Sequence, residues 1–252
     1  MDREGVVRAV VVGGGTSGRA IGAAIAARGW AVQVSSRRTG FDVLRDDVAA
    51  VLRGADVVVE ATGRFTTSRR RATDFFVRST TAVGSAAAAV GARHVLLSVL
   101  GCERPEVQGY GYFAGKAAQE RAAATTGAEL SVVRSTQWHE FAEQNAERFG
   151  VGRVALVPAM TIAPVALTAV AAVVAEVVSG ERRERRVEVA GPRRTTLLAM
   201  TESLPAPGIR ALPLRIPGRL GRAFRDGALL PDVGTEVVGP SFDEWLTARS
   251  RH

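Results

Sequence analysis

Residues 8–18, RAVVVGGGTSG, decide the fold class. The β-branched run from Arg8 to Val12 reads as a short buried strand that the following glycines end abruptly. Gly13, Gly15 and Gly18 spell G-x-G-x-x-G directly after that strand and at the start of an alanine-rich helix from about Ser17 to Arg28. Gly13 permits a tight turn, Gly15 lets the backbone approach a pyrophosphate, and Gly18 allows close helix–strand packing. Amides around Thr16, Ser17 and Gly18 then face the phosphates, where the helix dipole favours negative charge. The plain alternative is a structural glycine turn.

Outward from this turn, Gly29 ends the helix and Ala31 to Ser35 reads as a second strand. Asp42 to Leu52, with apolar residues at 44, 48, 51 and 52, has helical spacing. Val57 to Val59 predicts a third strand, Ser68 to Val90 a helix, and His94 to Val99 a fourth strand. Tyr112 to Thr125 follows as a helix and Leu130 to Arg134 as a fifth strand. The alternation then loosens: a helix over Trp138 to Phe149, a strand over Val154 to Val157, a buried helix over Pro164 to Val178, and a strand over Val187 to Ala190. Pro and Gly crowd Pro205 to Pro217, and Phe242 to Arg249 is a last helix. The expectation is an α/β, doubly wound, Rossmann-like chain: a single parallel sheet with helices on both faces. It forms one domain over residues 1–252, whose C-terminal third, from about 150, makes the substrate side.

Composition removes several classes. One cysteine, Cys102, rules out an internal disulfide framework and cysteine-based structural zinc, and fits a reducing cytoplasm. No His/Asp/Glu cluster has metal-ligand spacing, so no metal is expected. The uncharged stretch from Val154 to Ala175 is cut by Pro158 and Pro164, which favours a strand and a buried helix over a membrane span. The opening residues Met1 to Gly5 show no secretory signal. The net charge of +8 is spread over Arg69–Arg71, Arg182–Arg183, Arg185–Arg186, Arg193–Arg194 and single arginines. No aromatic residues interleave with them, so no nucleic-acid platform is expected. G-T-S-G around Ser17 lacks the G-x-S-x-G elbow of hydrolases.

The end of the second strand chooses between cofactors. An NAD enzyme places a carboxylate there against the ribose 2′-hydroxyl, whereas this chain has Ser35, Ser36, Arg37 and Arg38. Guanidinium groups pair with a 2′-phosphate, so NADP(H) is expected in preference to NAD(H), although an arginine pair also arises by chance in so arginine-rich a chain. Asp42 can accept a hydrogen bond from the adenine amino group, and Ala61, Thr62 and Gly63 offer small residues beside the ribose. Each also reads as an ordinary cap or turn.

All 33 basic residues are arginine except Lys116, which stands four after Tyr112. On a helix, positions i and i+4 share a face, so ammonium and phenol project into one space. A nearby cation lowers a phenol's ordinary pKa of about 10, and such a tyrosine can protonate a ketone oxygen as hydride arrives. A lysine placed at random would stand four after one of the two tyrosines, Tyr110 and Tyr112, in about 1% of cases.

At these residues the chain resembles the short-chain dehydrogenase/reductase superfamily, in its atypical NmrA-like branch. The segments VVVGGGTSGRAIG, RGADVVVEATG, HVLLSVLG, GYGYFAGKAAQE and VVRSTQWHEFAEQ carry the likeness, with LPLRIPGRLGRAFRDGALLPD and FDEWL near the end. The resemblance implies NADP(H) binding, a Ser–Tyr–Lys set and a pocket built by the C-terminal third. By position, Tyr112 is the acid/base, Lys116 holds the nicotinamide ribose and lowers the tyrosine pKa, and Ser98 orients the substrate oxygen. In relatives that serine often stands one or two residues further on, where this chain has Val99 and Leu100, so Ser98 reads equally as a core hydroxyl. Where Thr168 and Ala169 stand, relatives often carry an acidic pair. Some members of the branch bind NADP(H) as sensors without turnover.

Gln137, Trp138, His139 and Phe141 follow the fifth strand, where doubly wound folds bind ligands, and the first three are candidate substrate contacts. His139 also reads as a satisfied loop histidine. Met160, Leu204, Leu212 and Phe224 can complete an apolar pocket or simply a core. His94 and His252 suggest no site. Two functions follow: an NADP(H)-dependent oxidoreductase, or ketoreductase, acting on a carbonyl or alcohol of a small organic molecule, with epimerisation as a variant; or an NADP(H)-binding regulator. Oligomeric state, substrate identity and hydride direction are not legible.

Overall fold

The computed structural model describes residues 7–152, 154–205 and 210–251. His252 and parts of the Pro/Gly-rich stretch, like the opening residues, lie outside the described residues.

The chain begins β1 (Arg8–Val12), α1 (Thr16–Ala26), β2 (Ala31–Ser35), α2 (Val48–Leu52), β3 (Val57–Glu60), α3 (Arg69–Val90), β4 (Arg93–Val99), α4 (Gly111–Ala123) and β5 (Leu130–Ser135). It continues α5 (Phe141–Phe149), β6 (Gly150–Val151), β7 (Val154–Pro158), β8 (Thr161–Ile162), α6 (Leu167–Ser179), β9 (Arg186–Ala190) and β10 (Thr195–Thr196). The last elements are α7 (Leu197–Glu202), β11 (Arg210–Leu214), α8 (Gly218–Asp226), β12 (Glu236–Val237) and α9 (Phe242–Arg249).

Seven strands form the parallel sheet in the order β12-β9-β5-β4-β3-β1-β2. Because β2 lies on one side of β1 and β3 on the other, the winding reverses between β1 and β3, and the glycine turn stands at that switch point. Side chains alternate across β1. Val10 and Val12 pack with Leu52, Val58 and Val83 under α2 and α3. Val11 faces α1, whose Gly18 lies against it.

The chain packs as two compact units. One comprises Met1–Ser98, Gly111–Arg134 and Ala171–Val187; the other comprises Val99–Tyr110, Ser135–Val170 and Glu188–His252. The first carries β1 to β4 with α1 to α4. The second carries two small sheets, β11-β7-β6 and β10-β8, with α5, α7, α8 and α9.

Three expectations are corrected. The helix over Asp42 to Leu52 shrinks to α2, because Asp42 makes a turn: its Oδ1 accepts from Leu44 N at 3.0 Å and its own N–H donates to Asp46 Oδ2 at 2.6 Å. The helix over Trp138 to Phe149 begins only at Phe141. Residues 137–139 are extended against Val165, whose N–H donates to Gln137 O at 2.9 Å while His139 N–H donates to Val165 O at 3.0 Å. The strand over Val154 to Val157 does not join a single sheet but pairs with β11 and β6. The sequence also hides β11 itself: Pro213 argues against a strand but is tolerated because β11 is an edge.

No helix among the described residues is long and apolar enough to cross a membrane. The uncharged stretch supplies β7, β8 and most of α6.

Gly18 makes the closest approach of the first unit: a Cβ there would meet Gly13 O at 1.6 Å, whereas one at Gly15 would meet nothing within 4 Å. Gly15 also has an ordinary φ of −72°. Gly18→Ala is therefore expected to cost about 3 kcal/mol, and Gly15→Ala to stay within about 0.5 kcal/mol of the parent. Urea unfolding of both variants checks this contrast.

Candidate functional site

The glycine turn is shaped by its neighbours. Gly13 adopts φ +117°, and a Cβ there would meet Ala61 O at 2.5 Å, so the ends of β1 and β3 touch through backbone alone. A Cβ at Gly14 would strike Ser36 Oγ at 2.5 Å, a requirement not visible in the sequence pattern. Gly15 and Thr16 are exposed, and Ser17 is buried in the first turn of α1. A Cβ at Gly15 would meet nothing within 4 Å, so the turn is open at that position among the described residues.

Beyond β2, Ser36 and Thr39 form a reciprocal cap around a short 3-10 turn, with Ser36 N–H donating to Thr39 Oγ1 at 2.9 Å. Arg37 and Arg38 ride this turn, exposed and without an ion-pair partner among the described residues. Asp42 is half-buried in its own turn, one carboxylate oxygen taken by Leu44 N.

Tyr112 and Lys116 occupy successive turns of α4. Gly115 between them lets α4 close on α3, since a Cβ there would meet Phe76 Cδ2 at 2.6 Å and Ala72 Cβ at 3.0 Å. The Tyr112 ring, half-buried, lies edge-on to Phe76 at 5.9 Å. The Lys116 ammonium stands 5.1 Å from the centre of the same ring. Lys116 is only 3% exposed. Its Nζ donates to Leu97 O at 2.7 Å and to Gln119 Oε1.

Gln119 leads to residues the sequence did not mark. Its Nε2 donates to Glu60 Oε1 at 2.8 Å, and Glu60, the last residue of β3, is 0% exposed. Thr62 Oγ1 donates to the same carboxylate at 2.8 Å, Thr80 Oγ1 at 2.5 Å and His94 Nε2 at 3.1 Å. Burial opposes ionisation of Glu60, but the His94 hydrogen bond and charge, with the threonine hydroxyls, outweigh it and hold the carboxyl below its ordinary range. His94, which suggested no site in the sequence, is wholly buried in this network. A glutamate closing an otherwise all-valine strand was the available signal. Ala61 and Thr62 therefore join two places, Ala61 touching Gly13 and Thr62 bound to Glu60. Gly63 is exposed with open space about it.

Ser98, 1% exposed, donates its hydroxyl proton to Glu120 Oε1 at 2.5 Å. Arg134 grips the same carboxylate in a fork, Nε to Oε1 at 2.9 Å and an outer nitrogen to Oε2 at 2.5 Å. Burial raises the Glu120 pKa, but Arg134, Ser98 and the Lys116 charge together leave it lowered.

In the second unit, His139 is 0% exposed, and its Nε2–H donates to Pro240 O at 3.1 Å. Phe242 and Trp245 flank its ring at 5.5 and 5.4 Å. Trp138 Nε1–H donates to Ser135 Oγ at 3.0 Å. Among the described residues, the buried side-chain polar atoms without a partner, His94 Nδ1 aside, all belong to residues 136–140: Thr136 Oγ1, both amide atoms of Gln137, His139 Nδ1 and Glu140 Oε2. Burial raises the Glu140 pKa, as it does that of the other tyrosine, Tyr110. Leu204 and Leu212 are half-buried, and Met160 and Phe224 buried, within this unit.

No family model matches the chain, and no curated protein matches it in sequence. Solved structures match its fold. A dTDP-4-dehydrorhamnose reductase from Clostridium acetobutylicum superposes with a TM-score of 0.73 at 14% identity, covering 98% of this chain and 100% of that one. The Bacillus anthracis dTDP-4-dehydrorhamnose reductase in complex with NADP gives 0.68 at 12% identity, with 98% of each chain covered. The NADPH-dependent quinone oxidoreductase QOR2 of Escherichia coli, complexed with NADPH, gives 0.65 at 16%, covering 96% and 99%. At such identities the likeness shows the fold: this chain has the Rossmann architecture that NAD(P)-binding reductases and epimerases share.

Burial lowers the His139 pKa and the Pro240 carbonyl raises it less, leaving it below the ordinary value. The unfolded chain then binds this proton more readily than the folded one, so stability present above about pH 6.5 is lost as pH falls further. Urea midpoints at pH 7 and pH 5 should show that loss. His139→Gln, which keeps a donor for Pro240 O, should show less of it.

Proposed function

We propose that this chain binds NADP(H) and moves hydride and a proton between the cofactor and a carbonyl or alcohol of a small organic molecule. The observation that carries this reading is a single chain of contacts within the first unit. The open glycine turn touches Ala61, Thr62 beside it binds Glu60, Glu60 binds Gln119, and Gln119 binds Lys116, one helical turn beyond Tyr112.

The residues present fit the cofactor. Gly15 leaves the turn open to a pyrophosphate, Ser17 and Thr16 begin the helix behind it, and Arg37 and Arg38, without an ion-pair partner among the described residues, offer guanidinium groups, with Ser36 beside them, for a 2′-phosphate. Ala61 to Gly63 border the turn, and Asp42 keeps one carboxylate oxygen for the adenine amino group. When bound, the nicotinamide supplies or accepts the hydride. Tyr112 donates the proton to the substrate oxygen, or takes it back in oxidation, and the Lys116 charge favours its phenolate. Lys116 would also hold the nicotinamide ribose. Ser98 fits its substrate-orienting role poorly, because its one proton already goes to Glu120. Gln137 is the strongest substrate contact of its segment, since both polar atoms of its amide lack partners. Trp138 and His139 are better explained by their bonds to Ser135 and Pro240.

The committed Ser98 proton favours a second reading, an NADP(H)-binding regulator without turnover. The resemblance to the NmrA-like branch supports it, while the reductase and epimerase neighbours support catalysis.

Arg37→Ala is expected to weaken NADPH binding about tenfold, near 1.4 kcal/mol, and to change NADH binding less than about twofold. Equal losses in calorimetry would refute the 2′-phosphate assignment. With NADPH oxidation followed over a panel of aldehydes, ketones and quinones, Tyr112→Phe should lower turnover at least about 100-fold while NADPH still binds. Undiminished turnover would remove the proton from Tyr112, and binding without turnover in the unaltered protein favours the regulator.

A further inference from the structure

Buried polar atoms without a hydrogen-bond partner gather in one run of the second unit. Among the described residues they are Thr136 Oγ1, Gln137 Oε1 and Nε2, His139 Nδ1 and Glu140 Oε2, with only His94 Nδ1 elsewhere. Backbone bonds hold the run in place. Thr136 N–H donates to Val189 O at 3.1 Å, and residues 137–139 are bound to Val165. The run follows directly on β5, at the strand end where doubly wound folds take ligands. Native chains leave few buried polar atoms unmet, so their gathering here calls for a cause.

The chemistry of these atoms selects a ligand. His139 donates Nε2–H to Pro240 O, and burial lowers its pKa, so the imidazole is neutral and Nδ1 is a bare acceptor. Gln137 offers an acceptor and a two-proton donor side by side, and Thr136 a hydroxyl that does both. Glu140 Oε2 accepts when ionised and donates when protonated. We propose that residues 136–140 form a binding site for a neutral carbonyl compound that carries hydroxyl groups, with Gln137 and Glu140 as its principal contacts. These two side chains belong to half-buried residues, whereas Thr136 and His139 are 2% and 0% exposed. A change of rotamer is enough to bring the amide and the carboxyl to a ligand. The proposal deepens the function given above and rests on it only in calling the ligand a substrate.

Other ligand classes fit these atoms less well. A quinone or a plain ketone only accepts, so it would serve Gln137 Nε2 and the Thr136 hydroxyl and leave Gln137 Oε1 and His139 Nδ1 without a donor. A carboxylate or phosphate also only accepts, and residues 135–141 include no lysine or arginine to receive it. The arginine whose charge acts on Glu140 is Arg249, which already donates to Glu143 Oε1 at 2.7 Å. Burial and the Glu143 charge raise the Glu140 pKa, and a ligand anion would oppose its ionisation further. An ammonium only donates and would leave Gln137 Nε2 unmet. A hydroxyl donates and accepts, so it can meet every atom of the set in either protonation state of Glu140.

Three probes of one carbon skeleton test this: L-erythrulose, 2-butanone, which lacks the hydroxyls, and 2-oxobutyrate, which carries a carboxylate instead. Their affinities are read by ligand-detected NMR titration of the full chain, alone and with NADP+. Erythrulose should bind at least about tenfold more tightly than either of the others. Gln137→Leu and Glu140→Leu should each cut that preference about threefold or more, whereas a merely structural role would weaken all three probes alike and leave the ratio unchanged. No preference for erythrulose in either form of the protein, absence of any binding included, overturns the proposal, as does an unchanged ratio in both folded variants. If neither variant folds, missing NOEs between erythrulose and the Gln137 side-chain NH2 in the unaltered protein overturn it. NADPH oxidation separates this proposal from the redox reading. A preference for erythrulose without oxidation ends the redox reading and keeps the site. Oxidation with equal affinities for erythrulose and 2-butanone keeps the redox reading and ends the site.

Discussion

A carboxylate held wholly out of water at the end of β3 constrains much of the first unit. Ionised and alone, Glu60 would cost far more than the few kilocalories per mole that separate folded from unfolded chains. It is tolerated because donors arrive from the loop after β3, from β4, from α3 and from α4. Each donor must come within hydrogen-bonding distance, so the carboxylate constrains where α3 and α4 lie against β3 and β4. Gly115 and Gly111 belong to the same constraint, since any Cβ there would drive α4 off α3 and its preceding loop.

Through Thr62 and Ala61, that constraint reaches the glycine turn. The β3 backbone can touch Gly13 only because β1 and β3 are neighbours at the switch point and because Gly13 has no side chain. The glycine turn and Lys116 are therefore joined by one run of contacts through Ala61, Thr62, Glu60 and Gln119.

How far this was legible in the sequence follows from the range of each interaction. The first five strands and the helices α1, α3 and α4 were readable because strand and helix periods are local, and Ser68 with Gly91 bound α3 by side-chain capping and a left-handed terminus. Helix 42–52 failed for a local reason too, as carboxylates competing for backbone amides do not register in a hydrophobic pattern. β11 failed because whether a proline is allowed depends on which strand lies at the edge. The Glu60 network was illegible in a stricter sense. Its members stand at 60, 62, 80, 94, 116 and 119, and nothing in their spacing brings them together until the sheet order does. Gly13 and Gly18, two glycines of the sequence pattern, make close backbone approaches, while the need for Gly14 came only from Ser36.

The same geometry explains why one lysine survives in a chain that otherwise uses arginine. A guanidinium is planar and carries five N–H donors in a fixed fork, which suits exposed turns such as Arg37–Arg38 and the two-oxygen grip of Arg134 on Glu120. Beneath α4 the named acceptors are one carbonyl, of Leu97, and one amide oxygen, of Gln119, above the face of Phe76. Three donors on a compact head at the end of a flexible stem can meet both and lie on the ring, whereas a guanidinium would bring five donors in a fixed plane. An arginine there would keep the charge and lose the fit. The residue that looks anomalous in the composition is thus the one that a backbone carbonyl, an amide oxygen and an aromatic face meet beneath α4.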